Sequence, residues 1–176
     1  MLACLDVAYK DDRAFAACIQ FAHWTSDTSF RNAFAQTETA ASYQSGAFYL
    51  RELPALSAVL AELAQPPQAI IVDGYVYLDR SGRPGLGARL YEALKGNVPI
   101  VGVAKTTLRD DDWSIPVLRG VSKAPLRVTA IGMDQAEAAA HVRAMAGAYR
   151  IPEMLKKVDR MARDFATRSA QPATLR

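Results

Sequence analysis

The residues of this 176-residue sequence that could carry chemistry are three carboxylic acids and a lysine. Asp6 interrupts an apolar run near the N-terminus, Glu52 lies in the first turn of a helical pattern, and Asp73 and Lys105 each end a short apolar run. Carboxylates on rigid elements bind hard divalent cations such as Mg²⁺. Two such ions about 4 Å apart neutralise a phosphate and convert water into a nucleophile. If the fold brings the acids together, phosphodiester hydrolysis is the expected chemistry.

Each acid also has an ordinary structural interpretation, which the sequence leaves open. An aspartate after a strand, such as Asp73, is commonly a cap or turn residue, and an acid such as Glu52 favours a helix N-terminus. Asp6 would need an arginine partner or a solvent-facing position, because an unpaired buried charge is costly. A fourth acid, Asp159, faces away from the apolar stripe of the last helical pattern and has basic residues at salt-bridge spacing.

The strongest pattern that positions these residues is a pair of apolar runs, 69–73 and 98–105, on either side of a helical stretch at 85–94. Strand, helix and strand at this spacing predict a crossover between parallel neighbours. Asp73 and Lys105 would then emerge at the carboxyl edge of the sheet, which is where ligands bind in open α/β sheets.

The remaining apolar patterns complete a mixed α/β fold. They predict a meander of three antiparallel strands and a helix before the crossover, and a hairpin and two helices after it, at 2–9, 13–24, 28–37, 51–64, 113–119, 126–131, 134–145 and from residue 150 onward. This is the ribonuclease H-like order, a mixed sheet flanked by helices, and it places acids from the first strand, first helix and fourth strand around one point. We expect one domain over residues 1–168 and a loose tail over 169–176.

Composition and charge narrow the class of protein. The apolar runs are too short for a transmembrane helix, and the N-terminus reaches an acid too soon for a signal peptide. Cys4 and Cys18 lie in apolar runs and are expected to be buried thiols, which with the missing signal peptide predicts a cytoplasmic location. From Val121 onward the sequence has ten Lys or Arg and five Asp or Glu. That balance suits a polyanion partner, although a solvated helix face explains it equally well.

Four motifs, in register along nearly the whole chain, resemble those of the endonuclease V family, repair nucleases that cut near deaminated adenine. The match is that of a diverged member. LDVAY at 5–9 resembles the family's G-V-D-x-S-Y, and YQSGAFYLRE at 43–52 resembles P-Y-[IV]-P-G-x-L-x-F-R-E. The stretch from Val72 to Lys105 resembles D-G-x-G-x-x-H-P-R-x-x-G-L-A followed by G-V-A-K-S, and YRIPE at 149–153 with Asp159 resembles Y-R-[LI]-P-E-P-T-R-x-A-[DH].

The resemblance implies roles for the matching positions. Asp6, Glu52 and Asp73 would be catalytic acids that bind Mg²⁺ or Mn²⁺, and Asp159 would stand at a fourth metal-binding position. Lys105 would lie beside the scissile phosphate and stabilise its charge. The positions expected to contact nucleic acid are Tyr43, at a wedge between the strands, Gly74, Tyr75, Arg80, Lys105 and Arg150.

The sequence departs from the family where the base and its flanking backbone would be read. Ser42 and Gln44-Ser45 replace the wedge prolines around Tyr43, so the rigidity that proline gives a loop is lost. One family histidine is absent at 78–80 and another at 130–133. Val76 stands where the family has the second glycine of D-G-x-G.

Three functions remain in competition. The first is a metal-dependent endonuclease acting on inosine-containing DNA or RNA, with the target base held outside the stack near Gly74 and Tyr75. The second is a diverged nuclease for another nucleic-acid structure, with exposed Tyr43, Tyr75 and Tyr77 as stacking platforms, unless these are ordinary half-buried side chains. The third is a non-catalytic relative, in which Asp79 adds a negative charge that hinders phosphate approach. Nucleic acid is the expected partner, no membrane is expected, and a monomer is favoured.

Overall fold

The computed structural model describes residues 1–39 and 49–169, which form seven strands and four helices. The strands are β1 (Leu2–Lys10), β2 (Arg13–Phe21), β3 (Arg31–Glu38), β4 (Ala69–Asp73), β5 (Ile100–Ala104), β6 (Ile115–Val117) and β7 (Leu126–Ile131). The helices are α1 (Tyr49–Ala61), α2 (Leu86–Ala93), α3 (Gln135–Ala144) and α4 (Glu153–Ser169). All seven strands belong to one mixed sheet in the order β3-β2-β1-β4-β5-β7-β6.

The sheet has the ribonuclease H-like arrangement that the sequence predicts. β1, β2 and β3 form an antiparallel meander, and the two-residue turn between β1 and β2 has positive φ at both Asp11 and Asp12, as tight hairpins require. β4 runs parallel to β1 on one side and to β5 on the other. β7 then pairs antiparallel with β5, and β6 adds the last strand.

Helices cover both faces of the sheet. Alternate strand residues point to opposite faces, so Ala3 and Leu5 pack with α1 and α2, while Leu2 and Cys4 pack with α3 and α4. Cys4 and Cys18 are buried and not bridged, as expected. The same alternation places Asp6 on the face of Cys4, towards α4. No helix within the described residues is both long and apolar enough to cross a membrane.

The differences from the predicted boundaries lie at element ends. β2 stops at Phe21, because the chain turns where the N–H of Ser26 donates to the carbonyl oxygen of His23. The strand expected over 113–119 has only three residues, since Arg119 leaves the sheet and its guanidinium donates to carbonyl oxygens after α3, including that of Gly147 at 3.0 Å. α4 continues to Ser169, and residues 170–176, which hold the rest of the predicted tail, lie outside the described residues.

Candidate active site

Three of the predicted acids meet at one edge of the sheet. Asp6 is on β1, Glu52 is in the first turn of α1, and Asp73 is the last residue of β4. Because Leu5 pairs with Val72 in the parallel β1–β4 ladder, the two aspartates leave adjacent strands at the same level. The three acids line one small cavity of about 10 Å³, which is about the space of one water molecule. The structure therefore assembles the predicted cluster, while its role as a metal site stays a prediction.

Asp159 joins this cluster from α4. Its carboxyl group lies close enough to that of Asp6 for its charge to raise the pKa of Asp6. The guanidinium of Arg163, one turn along α4, also donates to both carboxylate oxygens of Asp159. The predicted helical salt bridge of Asp159 is therefore confirmed, while its role as a fourth metal-binding position stays a prediction.

Lys105 lies beside the cluster because β4 and β5 are parallel neighbours. Its Nζ donates to Asp73 Oδ2 at 2.5 Å, and both side chains are about one third exposed. Burial lowers the pKa of Lys105, but the hydrogen bond and the charge of Asp73 outweigh it and raise the pKa overall, so the ammonium group stays charged. The prediction that Asp73 and Lys105 share a sheet edge is confirmed.

The acids repel one another in a partly desolvated site. Burial raises the pKa of Asp6 to about 7, and the charges of Asp73 and Asp159 add to the shift, against a hydrogen bond from the Val7 N–H. Burial and the charge of Asp73 raise the pKa of Glu52 to about 7, against a hydrogen bond from Tyr9. Clustered acids with raised pKa values mark functional sites more often than structural ones.

The chemical type of the four acids suits a hard divalent cation, but their present side-chain positions do not form a metal site. All four acids supply carboxylate oxygen, which Mg²⁺ and Mn²⁺ prefer. Within the described residues, no group of three or more Asp, Glu, His or Cys side chains stands at metal-ligand spacing. Asp73 is paired with Lys105 and Asp159 with Arg163, so both acids would have to exchange these partners to bind a cation.

An apolar pocket of about 380 Å³ opens next to the acids. Glu52 and Asp73 line both this pocket and the small cavity between the acids. The other lining residues are Tyr49, Gly74, Tyr75, Leu78, Arg83, Gly85, Leu86 and Leu108. Gly74 has a φ of +127°, and a Cβ on Gly102 would lie 2.6 Å from the Gly74 carbonyl oxygen, so glycine is needed at both positions. The pocket has the size of a small-molecule or base site.

Val76 stands where the family motif has glycine, and the structure shows how it is accommodated. Its side chain is fully buried and packs against Gly87 at the start of α2. A Cβ on Gly87 would lie 2.8 Å from the Val76 Cγ2 atom. The valine therefore fills space that a glycine on α2 leaves, and this departure does not close the pocket.

The remaining predicted contact residues have different surroundings. Arg80 is 80% exposed and pairs with Asp112 at 2.7 Å. The Arg150 guanidinium donates to the carbonyl oxygens of Lys105 and Pro125, so it holds the backbone at Lys105. Tyr43 lies outside the described residues.

The structure bears on two expectations about groups near the pocket, the exposure of the tyrosines and the charge of Asp79. Tyr75 is only 7% exposed, so it is not an exposed stacking platform; it packs against Trp113 and lines the pocket instead. Tyr77 is half-buried, as the alternative interpretation had it. Asp79 accepts hydrogen bonds from Ser81 and from the Arg83 guanidinium, which neutralises its charge locally. It therefore gives little reason to expect hindered phosphate approach.

Sequence reasoning missed a polar network behind the pocket and a basic groove on α4. The network joins Tyr75, Asp111 and Arg127; an arginine as the second residue of a mostly apolar strand was its only sequence signal. The groove, of about 310 Å³, lies beside Asp159 and is lined by Lys156, Asp159, Arg160, Arg163 and Asp164. Its basic residues belong to the positively charged segment after Val121 that the sequence associates with a polyanion.

The endonuclease V family model matches residues 1–133 of the chain. The chain belongs to the endonuclease V family. It is 32% identical to the endonuclease V of Streptomyces avermitilis over 90% of this chain and 77% of that protein. The crystal structure of endonuclease V from the same organism superposes with a TM-score of 0.79 at 28% identity, covering 97% of this chain and 82% of that one.

A more distant endonuclease V has the same fold. The protein from Ciona intestinalis, crystallised with a 23mer DNA containing an inosine followed by a ribo-adenosine, superposes with a TM-score of 0.80 at 17% identity. The match covers 96% of this chain and 86% of that chain. The predicted family, fold and endonuclease class are thus confirmed, and the endonuclease V fold places the acid cluster at its sheet edge.

The raised pKa values make a stability prediction for the metal-free protein. An acid with a pKa of about 7 in the folded state and about 4 when unfolded binds more protons folded than unfolded, so its contribution to stability falls as pH rises through that window. We expect Asp6→Asn to stabilise the metal-free protein at pH 8 by about 2 kcal/mol, half of what the full shift implies, because solvent screens a partly exposed carboxyl.

Urea unfolding in EDTA at pH 5 and pH 8 measures this effect. The stabilisation should be full at pH 8 and fall to about a third of that value at pH 5, where Asp6 is protonated in the folded state but still mostly ionised in the unfolded chain. Glu62→Gln, at an exposed acid on the surface after α1, is the matched control and should change little at either pH. Equal effects of Asp6→Asn at the two pH values would contradict the assigned cause.

Proposed function

We propose that this chain is a metal-dependent endonuclease that hydrolyses phosphodiester bonds in inosine-containing DNA or RNA. The observation that carries the proposal is the position of the acid cluster against the apolar pocket. Glu52 and Asp73 border both spaces, so a base in the pocket would keep its strand within reach of the acids. The Ciona relative, whose crystals contain an inosine DNA, supports the choice of substrate.

The acids would hold the metal. Asp6, Glu52, Asp73 and Asp159 offer carboxylate oxygen to Mg²⁺ or Mn²⁺, which when bound neutralises phosphate charge and lowers the pKa of water. A cation would also relieve the repulsion that raises the pKa values of Asp6 and Glu52. Asp73 and Asp159 would exchange their present partners, Lys105 and Arg163, for it.

Lys105 would act on the phosphate. Once Asp73 turned to the metal, the Lys105 ammonium group would remain at the sheet edge beside the acids. A positioned cation stabilises the charge that develops on phosphate oxygens in the transition state. Arg150 supports this position through its hydrogen bond to the Lys105 carbonyl oxygen.

The pocket would receive the extruded base. Flipping a nucleotide from a duplex costs a few kcal/mol, which is least for mismatched or damaged bases. A pocket walled by Tyr75, Leu86 and Leu108 offers apolar surface in exchange for lost stacking. Gly74, with no side chain, lets the base approach the backbone closely.

The flanking strands would contact basic and aromatic groups around the site. The α4 groove with Lys156 and Arg160 is suited to phosphate groups, and Arg80 is exposed beyond the pocket. Tyr43 remains the predicted wedge. The cytoplasmic location and the monomeric state also stay predictions.

A nuclease for another nucleic-acid structure is the second candidate. The absent family histidines and wedge prolines favour it, because these residues belong to the segments expected to read the lesion. Asp6, Glu52 and Asp73 would have the same catalytic role in both candidates. Only substrate preference separates them.

A cleavage assay with labelled oligonucleotides decides between the candidates. The panel contains inosine DNA, inosine RNA, unmodified duplex, single strand and a branched junction, each with and without Mg²⁺ or Mn²⁺. We expect metal-dependent nicking near inosine, at a rate well above that for the unmodified duplex. Preferential nicking of the junction or single strand would favour the second candidate. No cleavage of any substrate would contradict both and point to a non-catalytic relative.

A further inference from the structure

The hydroxyl group of Tyr75 is a meeting point for the loop that follows β5. It donates to the carboxylate Oδ2 of Asp111 at 2.7 Å or to the carbonyl oxygen of Thr106 at 3.0 Å, and it accepts from the backbone N–H of Leu108 at 3.3 Å. The rest of the Tyr75 side chain is buried against Trp113. The Tyr75 hydroxyl group therefore links Thr106, Leu108 and Asp111, in an otherwise exposed loop, to the segment that follows β4.

Asp111 is itself fixed by a buried ion pair. Its side chain has no solvent exposure, and that of Arg127 on β7 is only 11% exposed. Arg127 Nε donates to Asp111 Oδ2 at 2.7 Å, and Nη2 donates to the Asp111 carbonyl oxygen at 2.6 Å. Ser114 donates to both carboxylate oxygens of Asp111. Buried charges persist only when they are paired and hydrogen-bonded in this way.

The network reaches the pocket at two points. Tyr75 and Leu108 both line the pocket. The Leu108 N–H donates to the Tyr75 hydroxyl group. A second contact ties the same segments together, because the Trp113 indole N–H donates to the Tyr77 carbonyl oxygen at 3.0 Å. The position of Leu108 against the pocket therefore depends on the sheet through Tyr75, Asp111 and Arg127.

We propose that Tyr75, Asp111 and Arg127 are positioning residues that hold the Leu108 wall of the pocket and thereby set which base the pocket admits. The proposal rests on the function proposed above, in which the pocket receives the target base. A wall fixed before binding discriminates between bases better than a mobile one, because a mobile wall adapts to the wrong shape. The network also lowers the ordering entropy that substrate binding must overcome.

Tyr75→Phe is the test, because it removes only the hydroxyl and keeps the ring that packs against Trp113. Tyr91→Phe, on α2 and half-buried, is the matched control. We expect Tyr75→Phe to raise the KM for inosine DNA about tenfold, in line with the loss of one or two hydrogen bonds, with kcat changed less than threefold. The preference for inosine over adenosine at the same position should fall by a similar factor. An unchanged KM and preference would overturn the proposal.

Amide hydrogen exchange of the loop separates this inference from the proposed function. The Leu108 amide should exchange at least about tenfold faster in Tyr75→Phe than in wild type or Tyr91→Phe, as expected when a hydrogen bond is lost. If wild type does not cleave inosine DNA, the proposed function fails, and so does the assignment of base choice to the network. The exchange result then still decides whether the network holds the wall. Unchanged exchange in Tyr75→Phe would overturn that part too.

Discussion

Asp73→Asn is expected to lower the rate of strand cleavage by at least about 10³-fold. Asp73 stands at the centre of the site, since it contacts Lys105, raises the pKa values of Asp6 and Glu52 through its charge, and borders both cavities. The amide keeps the shape of the side chain but removes the charge that would hold a divalent cation. Single-turnover cleavage of inosine DNA in Mn²⁺ measures the effect.

The control for Asp73→Asn is a variant that removes one carboxylate far from the acid cluster. Glu62→Gln removes an exposed acid and should leave cleavage within twofold of wild type, since a screened surface charge contributes little. The unfolding transition of Asp73→Asn should show that the fold is kept. Cleavage by folded Asp73→Asn within tenfold of wild type would show that the acid cluster is not the catalytic centre.

Lys105→Ala is expected to lower kcat by about 10²–10³-fold with a smaller effect on KM, because its charge would act mainly on the transition state. The loss also leaves Asp73 without its partner at 2.5 Å. Lys105→Arg restores the charge but not the compact shape of an ammonium group, so we expect partial activity. Steady-state kinetics on inosine DNA distinguish the two variants.

Two outcomes for the lysine variants would contradict the assigned role. If KM rises and kcat is unchanged in Lys105→Ala, the lysine binds the strand equally in ground and transition states. If both variants retain full activity, Lys105 serves only as the ion-pair partner of Asp73. Lys95→Ala, at an exposed lysine after α2, is the matched control for loss of one positive charge.

The sequence predicted the order of elements because local patterns determine it. The apolar run 69–72 is too short for a helix and is stopped by Asp73 and Gly74, which marks a buried strand. The helical stretch before Val98 then leaves only a crossover to a parallel neighbour. Once that pair of strands is in place, Asp73 and Lys105 must meet, and the structure joins them at 2.5 Å.

The parts that could not be predicted depend on contacts between distant segments. Asp111 lies in a run of three aspartates that looks like a solvated turn, and nothing local shows that Arg127 will bury it. Tyr75 follows a glycine at the end of a strand, and the local sequence there does not distinguish an exposed side chain from a buried one. Its burial depends on Trp113, which is 38 residues away.

The same limit applies to the arginines expected at the nucleic acid. Arg80 and Arg150 were both expected at the nucleic acid, yet one is 80% exposed and the other donates to two backbone carbonyl oxygens. The charge of an arginine suggests phosphate binding, but its reach also lets it join two loops. Only the fold shows which of these an arginine does.

Mn²⁺ binding, measured by the loss of the free-ion signal in electron paramagnetic resonance, tests most directly whether the acid cluster is a divalent-metal site. The readout does not depend on finding the right substrate. Wild type should bind Mn²⁺, Asp73→Asn should lose most of this binding, and Glu62→Gln should retain it. Equal Mn²⁺ binding by wild type and Asp73→Asn, or none by wild type, would show that the acid cluster is not a divalent-metal site.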